Sequence, residues 1–394
     1  MNNTTANSSL IDVSVIIPIY NTEDYLLHCL CSLVKALGNL HYEVLLMDDG
    51  STDSSSDIAK SFAASHEGFF YHRLVNGGQG KARNKGVDLS SGEYIYFMDS
   101  DDYLFPDLIE DLFFSAKTNH ADMSMCSAVL SKEGKITFEP NLLRVFSKVG
   151  VEQAVTTLRK CPYLAYNSTV TNKLIRRDFY IENGIHFPEG VVYEDTLPSI
   201  QLYYCAASIS LLRTRGYVYR IRQDQSNTIR RLEYNVFSQK LHALKTLFQY
   251  VDNEDDFPVA ARMVLEHKAL YSDFIFYLNS LSSFGDSATN LVSELADFIN
   301  SYISQKTLDH LPLAHRQMVM DILDEDIDHL LKTIAYKNST YSIEPIEKRG
   351  LCYYYSSMSD EIIRFPERNV ADDFYYSVPI SFLRTISSDD YSLL

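Results

Sequence analysis

Apolar runs and polar clusters alternate through the N-terminal quarter of the chain. Residues 13–19 form an apolar run that reads as a buried strand, closing on Pro18-Ile19-Tyr20-Asn21. Asn21 or Thr22 is placed to cap a helix in which Tyr25, Leu26, Cys29, Leu30, Leu33, Val34 and Leu37 recur at helical spacing. A second strand over 43–47 ends in Asp48-Asp49-Gly50-Ser51, and a helix over 53–64 turns Ile58 and Phe62 inward. A third strand over 69–74 leads into Asn76-Gly77-Gly78 and a helix over 80–89. A fourth, 94–98, runs into Asp99-Ser100-Asp101-Asp102. Strands and helices joined by short links predict an α/β fold, a mostly parallel sheet with helices on both faces. Ligands of open α/β sheets bind beyond the carboxyl ends of the strands, so four polar motifs at four strand ends describe one site.

Beyond residue 102 the pattern loosens. A helix is expected over 107–117, strands over 123–129 and 135–138, a polar and aromatic loop over 184–195, a helix over 196–206 and two short strands over 209–221. From 231 to about 337 the pattern is helical, and Gly285 is its one glycine. Four segments follow: a flexible N-terminus (1–11), an α/β domain (12–230), a helical domain or extension (231–340) and a Tyr-, Ser- and Asp-rich segment (341–394), either a short sheet or a mobile tail. Lys240, Leu241, Leu244 and Leu247 could make an amphipathic surface, though an interior helix face is the plainer reading.

With 394 residues, 46% of them hydrophobic and 22% charged, the chain has an ordinary globular composition. No apolar run reaches membrane-spanning length, and the polar start lacks the features of a signal peptide, so a cytoplasmic protein is expected. A formal charge of −17 argues against nucleic acid as a partner. The six cysteines show no metal-ligand spacing; Cys29 and Cys31 are expected to pack in the core.

The carboxylates carry the chemistry. Asp99, Asp101 and Asp102 at the mouth of a buried strand repel one another and resist desolvation. A hard divalent cation relieves this, and such ions are commonly held by one or two carboxylates plus substrate phosphates. An acidic surface turn is the competing reading. The Asp48-Asp49 pair could accept from a nucleobase N–H or a ribose hydroxyl, unless Ser51 or Asp53 simply caps the next helix. A haloacid-type phosphatase is excluded because Met47 stands where its nucleophile would be. The Gly-rich turn 76–80 opens a helix, where phosphate is attracted, with Lys81 and Arg83 adding charge. Val75 rules out a Walker loop.

Taken in order, Val15-Ile16-Ile17-Pro18-Ile19-Tyr20-Asn21, Asp48-Asp49-Gly50-Ser51, Asn76-x-Gly78-x-x-x-Ala82-Arg83-Asn84-x-Gly86 and Asp99-Ser100-Asp101-Asp102 resemble the family 2 glycosyltransferases of the GT-A fold. The resemblance is strong over 12–115, weaker to about 230, and absent beyond. It implies a Rossmann-like GT-A sheet and a UDP-sugar donor. Pro18, Tyr20 and Glu23 would line the uridine pocket, Asn21 would belong to the donor site, Asp49 would hold the base, and Asn76 and Arg83 would contact the nucleotide or sugar. Asp99 and Asp101 would form the DXD motif on Mn²⁺ or Mg²⁺, with Asp102 nearby; which of the three touches the metal is open. Val192-Tyr193-Glu194-Asp195-Thr196 resembles the family's Glu-Asp pair. Asp195 is then the candidate general base and Glu194 its support, or the reverse, against the alternative that Asp195 caps a helix. Tyr217–Thr228 resembles the segment that closes over the diphosphate, with Arg222, Ser226 and Thr228 as contacts and Arg220 on the same strand face. A basic edge strand is the plain alternative.

The resemblance implies an inverting, metal-dependent sugar transferase. The expected acceptor is a surface glycan of capsule, O-antigen or teichoic-acid type, or a lipid-linked intermediate. The C-terminal part could bind that acceptor, the inner face of the membrane, or a second subunit. The rivals are a nucleotidyltransferase making NDP-sugars, which would carry a Gly-rich loop where this chain has Pro-Ile-Tyr-Asn, and a non-catalytic glycan- or nucleotide-binding module.

Overall fold

The computed structural model describes residues 11–132, 134–138, 153–222, 233–311, 313–338, 345–349, 352–356 and 362–365. The chain divides into two compact units, one running to Arg231 and including Glu254–Phe257, the other comprising the rest. Most of the N-terminal segment expected to be flexible, residues 1–10, lies outside the described residues.

The first unit is built on β1 (Val13–Ile19), α1 (Glu23–Ala36), β2 (Tyr42–Asp48), α2 (Ser55–Ser65), β3 (Phe69–Arg73), α3 (Gln79–Leu89) and β4 (Tyr94–Phe97). There follow β5 (Tyr103–Leu104), α4 (Leu108–Thr118), β6 (Met123–Lys132), β7 (Lys135–Phe138), β8 (Gln153–Thr156), a 3₁₀ turn (Pro162–Tyr166), β9 (Lys173–Arg176), α5 (Arg177–Glu182), α6 (Thr196–Cys205) and β10 (Ile209–Ile221). The sheet runs β3-β2-β1-β4-β9-β6-β10-β5, with β7 on β6 and β8 on β10. The first four strands are parallel, β9 is antiparallel to both neighbours, and β6 and β10 are parallel.

All seven residues of β1 are buried, as a strand covered on both faces requires. Its register sets Ile19 beside Asp48, and Asp48 beside Arg73, so the polar strand ends share one edge. Leu26, Leu30 and Leu33 of α1 and Ile109 and Leu112 of α4 pack in the core cluster. Cys29 is buried there while Cys31 is exposed, so only one of the two packs as expected.

One expectation needs correction. Residues 209–221 form a single strand, not two, with register shifts between Leu211, Arg215 and Tyr217. The polar break reads like a turn in sequence, but the chain passes it as an irregularity and keeps pairing with β6. At Gly216 a Cβ would sit 2.0 Å from Leu108 Cδ1, so close packing against α4 demands glycine.

The second unit holds α7 (Tyr234–Asn253), α8 (Val259–Lys268), a π turn (Ala269–Asp273), α9 (Ile275–Asn279), a 3₁₀ turn (Leu281–Phe284), α10 (Ser287–Tyr302), α11 (Gln305–Asp309), α12 (Leu313–Leu323) and α13 (Ile327–Asn338). Lys240, Leu241, Leu244 and Leu247 are all buried, and Lys240 pairs with Asp273 at 3.0 Å. That stripe is an interior face. Beyond it, β11 (Pro345–Arg349), β12 (Cys352–Ser356) and β13 (Ile362–Phe365) form an antiparallel sheet. Among the described residues, no helix is long and apolar enough to cross a membrane.

Gly86 of α3 faces β1, where an added Cβ would lie 2.3 Å from Ile16 Cγ2. Gly86→Ala should therefore destabilise the protein by about 1–3 kcal/mol despite better helix propensity, measured by urea unfolding. A stabilised variant would show that α3 does not pack this tightly.

Candidate functional site

A cleft opens along the strand ends. Pro18, Tyr20 and Thr22 come to it from the end of β1, Asp49 from β2, Gln79 from the start of α3, Asp99 and Asp101 from β4, and Arg222 from β10. Of the residues read from sequence as donor- or metal-binding, Pro18, Tyr20, Asp49, Asp99, Asp101 and Arg222 therefore meet there.

Other expected contacts turn away. Asn21 accepts from the Thr52 amide at 2.8 Å, and Glu23 accepts from the Ser54 amide at 2.8 Å. In return Asp53 accepts from the Glu23 amide at 3.1 Å, so side chains of each loop satisfy the helix start of the other. Thr22 holds the capping position of α1 without a side-chain cap bond. Asn21 and Glu23 thus brace the cleft wall. Ser226 and Thr228 lie outside the described residues.

The two aspartates at the end of β2 have separate tasks. Asp48 points inward and accepts from the Ser51 amide, the Ser56 and Tyr71 hydroxyls and the Arg73 guanidinium. Burial pushes its carboxyl up, but the bonds from Ser56, Tyr71 and Ser51 outweigh it and hold the pKa at about 2. Asp49 accepts from the Gly77 and Gly78 amides at 2.9 and 2.8 Å. The amides before α3, expected to meet a phosphate, are thus turned to a carboxylate of the protein. Burial raises the Asp49 carboxyl above its usual range, with these amides opposing. Asn76 donates to the Asp49 carbonyl at 2.9 Å, a brace where a ligand contact was expected.

The acidic turn after β4 also divides. Asp102 is 1% exposed and accepts from the Tyr217 hydroxyl and, at 2.8 Å, from the Arg220 amide. Burial, with the charges of Asp101 and Asp99, drives its carboxyl well above the usual range. Asp102 anchors β10 and does not line the cleft, which corrects its place among the expected metal ligands. Asp101 accepts from Arg222 Nε at 2.8 Å and Asp99 from Arg83 Nη2 at 2.7 Å. Burial raises the Asp101 carboxyl, Arg222 opposes it and Asp99 adds to it. Arg220 donates to the Asp101 carbonyl at 2.7 Å and its guanidinium lies 5.0 Å from the Tyr103 ring centre.

Helix α3 carries the remaining parts. Arg83 is 2% exposed and its guanidinium binds Glu194, Asp99 and Gln79. Burial opposes its charge, but Asp99 and Glu194 outweigh that and keep it protonated. Expected as a donor contact, it is a buried bridge between the β4 turn and the loop before α6. The next residue, Asn84, donates to the Phe187 carbonyl at 2.9 Å and accepts from the Phe187 amide at 3.0 Å. At Gly80 a Cβ would lie 2.1 Å from the Pro188 carbonyl oxygen, and the Gly190 amide donates to Gly77 at 3.2 Å. The Gly-rich turn is therefore a seat for the 184–195 loop.

That loop passes through Tyr193 in the left-handed region (φ 65°) and delivers Glu194 and Asp195 to the start of α6. Asp195 holds the capping position, yet its side chain makes no capping bond. The helix-cap alternative is not what its carboxylate does here.

Lys173 went unnoticed in the sequence. It is fully buried, donating to Asn167 Oδ1 at 2.6 Å, Asn172 Oδ1 at 2.9 Å and the Thr169 carbonyl. Burial lowers its pKa to about 7, while the charge of Asp195 opposes the fall. A lysine directly before the apolar Leu174-Ile175 was the available signal.

Comparison with known proteins gives a family and a fold. The family model described as glycosyl transferase family 2 matches residues 14–184. The glycosyltransferase GlyG of Streptococcus pneumoniae is 30% identical over 250 residues, covering 58% of this chain and 79% of GlyG. A poly(ribitol-phosphate) beta-glucosyltransferase of Bacillus spizizenii is 30% identical over 221 residues, covering 54% of this chain but only 32% of that protein. The crystal structure of S. aureus TarS residues 1–349 in complex with UDP-GlcNAc superposes with a TM-score of 0.68 at 21% identity, covering 91% of this chain and 100% of that one.

Two substitutions probe the framework. Arg83→Met leaves Glu194 and Asp99 without their buried partner and should cost about 3–5 kcal/mol in urea unfolding, so a loss under about 1 kcal/mol would remove the bridge from its central position. Asp48 has a folded pKa below the unfolded value of about 3.9, so its contribution is complete above that pH and disappears as pH falls through about 2. Asp48→Asn should flatten the acid limb of stability between about pH 4 and 2; an unchanged limb would show that Asp48 does not drive it.

Proposed function

The chain belongs to glycosyl transferase family 2, and on that premise we propose that it moves a sugar from a UDP-sugar to a hydroxyl of a cell-surface polymer, aided by a divalent cation. The observation that carries this reading is the meeting of Asp49, Asp99, Asp101 and Arg222 in one cleft. The fold neighbour holding UDP-GlcNAc supports a UDP-sugar as donor. The relative acting on poly(ribitol-phosphate) supports an acceptor of teichoic-acid type.

The donor set fits a hard divalent ion. Among the described residues no three His, Cys, Asp or Glu side chains converge as a metal cage. Mg²⁺-type sites need only one or two carboxylates, because substrate phosphates complete them. Asp101 and Asp99, side by side in the cleft, supply those carboxylates. When bound, the ion would neutralise charge developing on the leaving diphosphate.

The chain's own residues do the rest. Tyr20, 47% exposed on the cleft wall, offers an aromatic face to the uracil. Asp49, fixed by two amides, still presents lone pairs that accept from the base N–H. Arg222 binds phosphate oxygens as a planar fork. Asp195 takes the proton of the acceptor hydroxyl as it attacks the anomeric carbon, in a single inverting displacement. Glu194 pairs with Arg83, which supports a positioning role for it beside Asp195 as the base.

Donor hydrolysis and transfer across a panel of UDP-sugars with Mn²⁺ test the reading directly. Asp101→Asn should abolish metal-dependent UDP binding by calorimetry; unchanged affinity would take Asp101 out of the metal site. Asp195→Asn should keep UDP affinity and lose about 10²–10⁴-fold in transfer, and retained turnover would move the base elsewhere.

A further inference from the structure

The carboxylate best placed to take a metal already has a cation on it. Arg222 Nε lies 2.8 Å from Asp101 Oδ2, and the two side chains are only 21% and 15% exposed. Both line the cleft. Two residues earlier, within β10, Arg220 is tied differently. Its amide serves Asp102, its Nε the Asp101 carbonyl, and its Nη2 stands 2.6 Å from His28 Nδ1. Arg220 therefore fixes the backbone of the acidic turn from behind, while Arg222 covers its carboxylate in front.

We propose that Arg222 is a resident counter-ion of Asp101, which yields its place only when metal and diphosphate arrive together. The inference rests on the reading of the cleft as a metal–diphosphate site. Its physics is competition between two cations for one carboxylate. A divalent ion alone must push Arg222 off Asp101 and leave the guanidinium without an anion in a partly buried position, which is costly. A diphosphate alone must compete with Asp101 for Arg222 and meets the bared carboxylate as a like charge. Together the exchange is balanced: the metal takes Asp101, and the guanidinium takes phosphate oxygens. Arg222 thus makes the binding of the two interdependent, and by linkage each raises the other's affinity by the same factor.

This differs in sign from a simple phosphate contact. Removing a phosphate contact weakens UDP and leaves metal affinity untouched. Removing a resident counter-ion tightens the metal on its own. The experiment measures Mn²⁺ binding to the full chain by electron paramagnetic resonance of the free ion, without and with UDP, beside calorimetry of UDP. Arg222→Gln should bind Mn²⁺ alone at least ~5-fold more tightly than wild type, while the enhancement of Mn²⁺ affinity by UDP shrinks by a similar factor. Arg222→Lys, which keeps the charge, should keep Mn²⁺ alone as weak as in wild type. Mn²⁺ affinity in Arg222→Gln that is equal to or weaker than wild type, or undetectable in both while UDP with Mn²⁺ binds, would overturn the proposal. Wild-type protein that binds no UDP even with Mn²⁺ would overturn the cleft reading itself, and the counter-ion role with it.

Discussion

The geometry of the site hangs on one buried charge. Arg83 sits on α3, 2% exposed, with Asp99 on one side and Glu194 on the other. Taking a guanidinium out of water costs several kcal/mol, and only partners in good geometry offset that. The cost is useful because it makes the arrangement all-or-none. Asp99 belongs to the turn after β4 and Glu194 to the loop before α6, segments far apart in sequence. A bridge that must be complete to be tolerable holds both to one helix, and so sets the distance between the acidic turn and Asp195.

The cleft's carboxylates sort by who neutralises them. Asp48 is surrounded by hydroxyls, an amide and Arg73, and its pKa of about 2 marks a group whose charge the fold wants. Asp102 is sealed by Tyr217 and Arg220 with its carboxyl pushed up, a group the fold holds by hydrogen bonds with little need of its charge. Asp49, Asp99 and Asp101 line the cleft, held by the Gly77 and Gly78 amides, by Arg83 and by Arg222 respectively. Asp48 and Asp102 thus serve the fold from inside it, while the other three have their partners around the cleft. In a chain of net charge −17, the positive groups beside the cleft, Arg83 and Arg222, are few but local.

The strand–helix alternation was legible because β1, β2 and β4 are apolar runs cut off by polar motifs at the same sheet edge. The location of the cleft followed from that edge. What was not legible was the direction of individual side chains. Asn76, Asn21 and Glu23 lie in the right loops but bond to the backbone of neighbouring loops. Gly77 and Gly78 look like a phosphate cradle and instead receive Asp49, while Gly80 makes room for Pro188. Each of those contacts joins segments separated by tens of residues or more, which no local pattern encodes. Lys173 escaped for a different reason: its three acceptors are near in sequence, but the turn that gathers them around a buried ammonium carries no local pattern.

The loop before α6 explains why so many residues near the cleft serve position and not binding. Tyr193 is held at φ 65°, a conformation that costs a β-carbon-bearing residue of order 1 kcal/mol or more and persists only where the surroundings over-determine it. The surroundings are the Asn84 bonds to Phe187, the Gly190 bond to Gly77 and the Arg83 bridge to Glu194. They pin the loop on both sides of the strained residue, so the strain is released only by breaking a buried contact. Asp195 follows directly, at the head of α6 but without the capping bond its position would allow. A strained loop stapled on both sides, and not a capping bond, therefore sets where Asp195 stands.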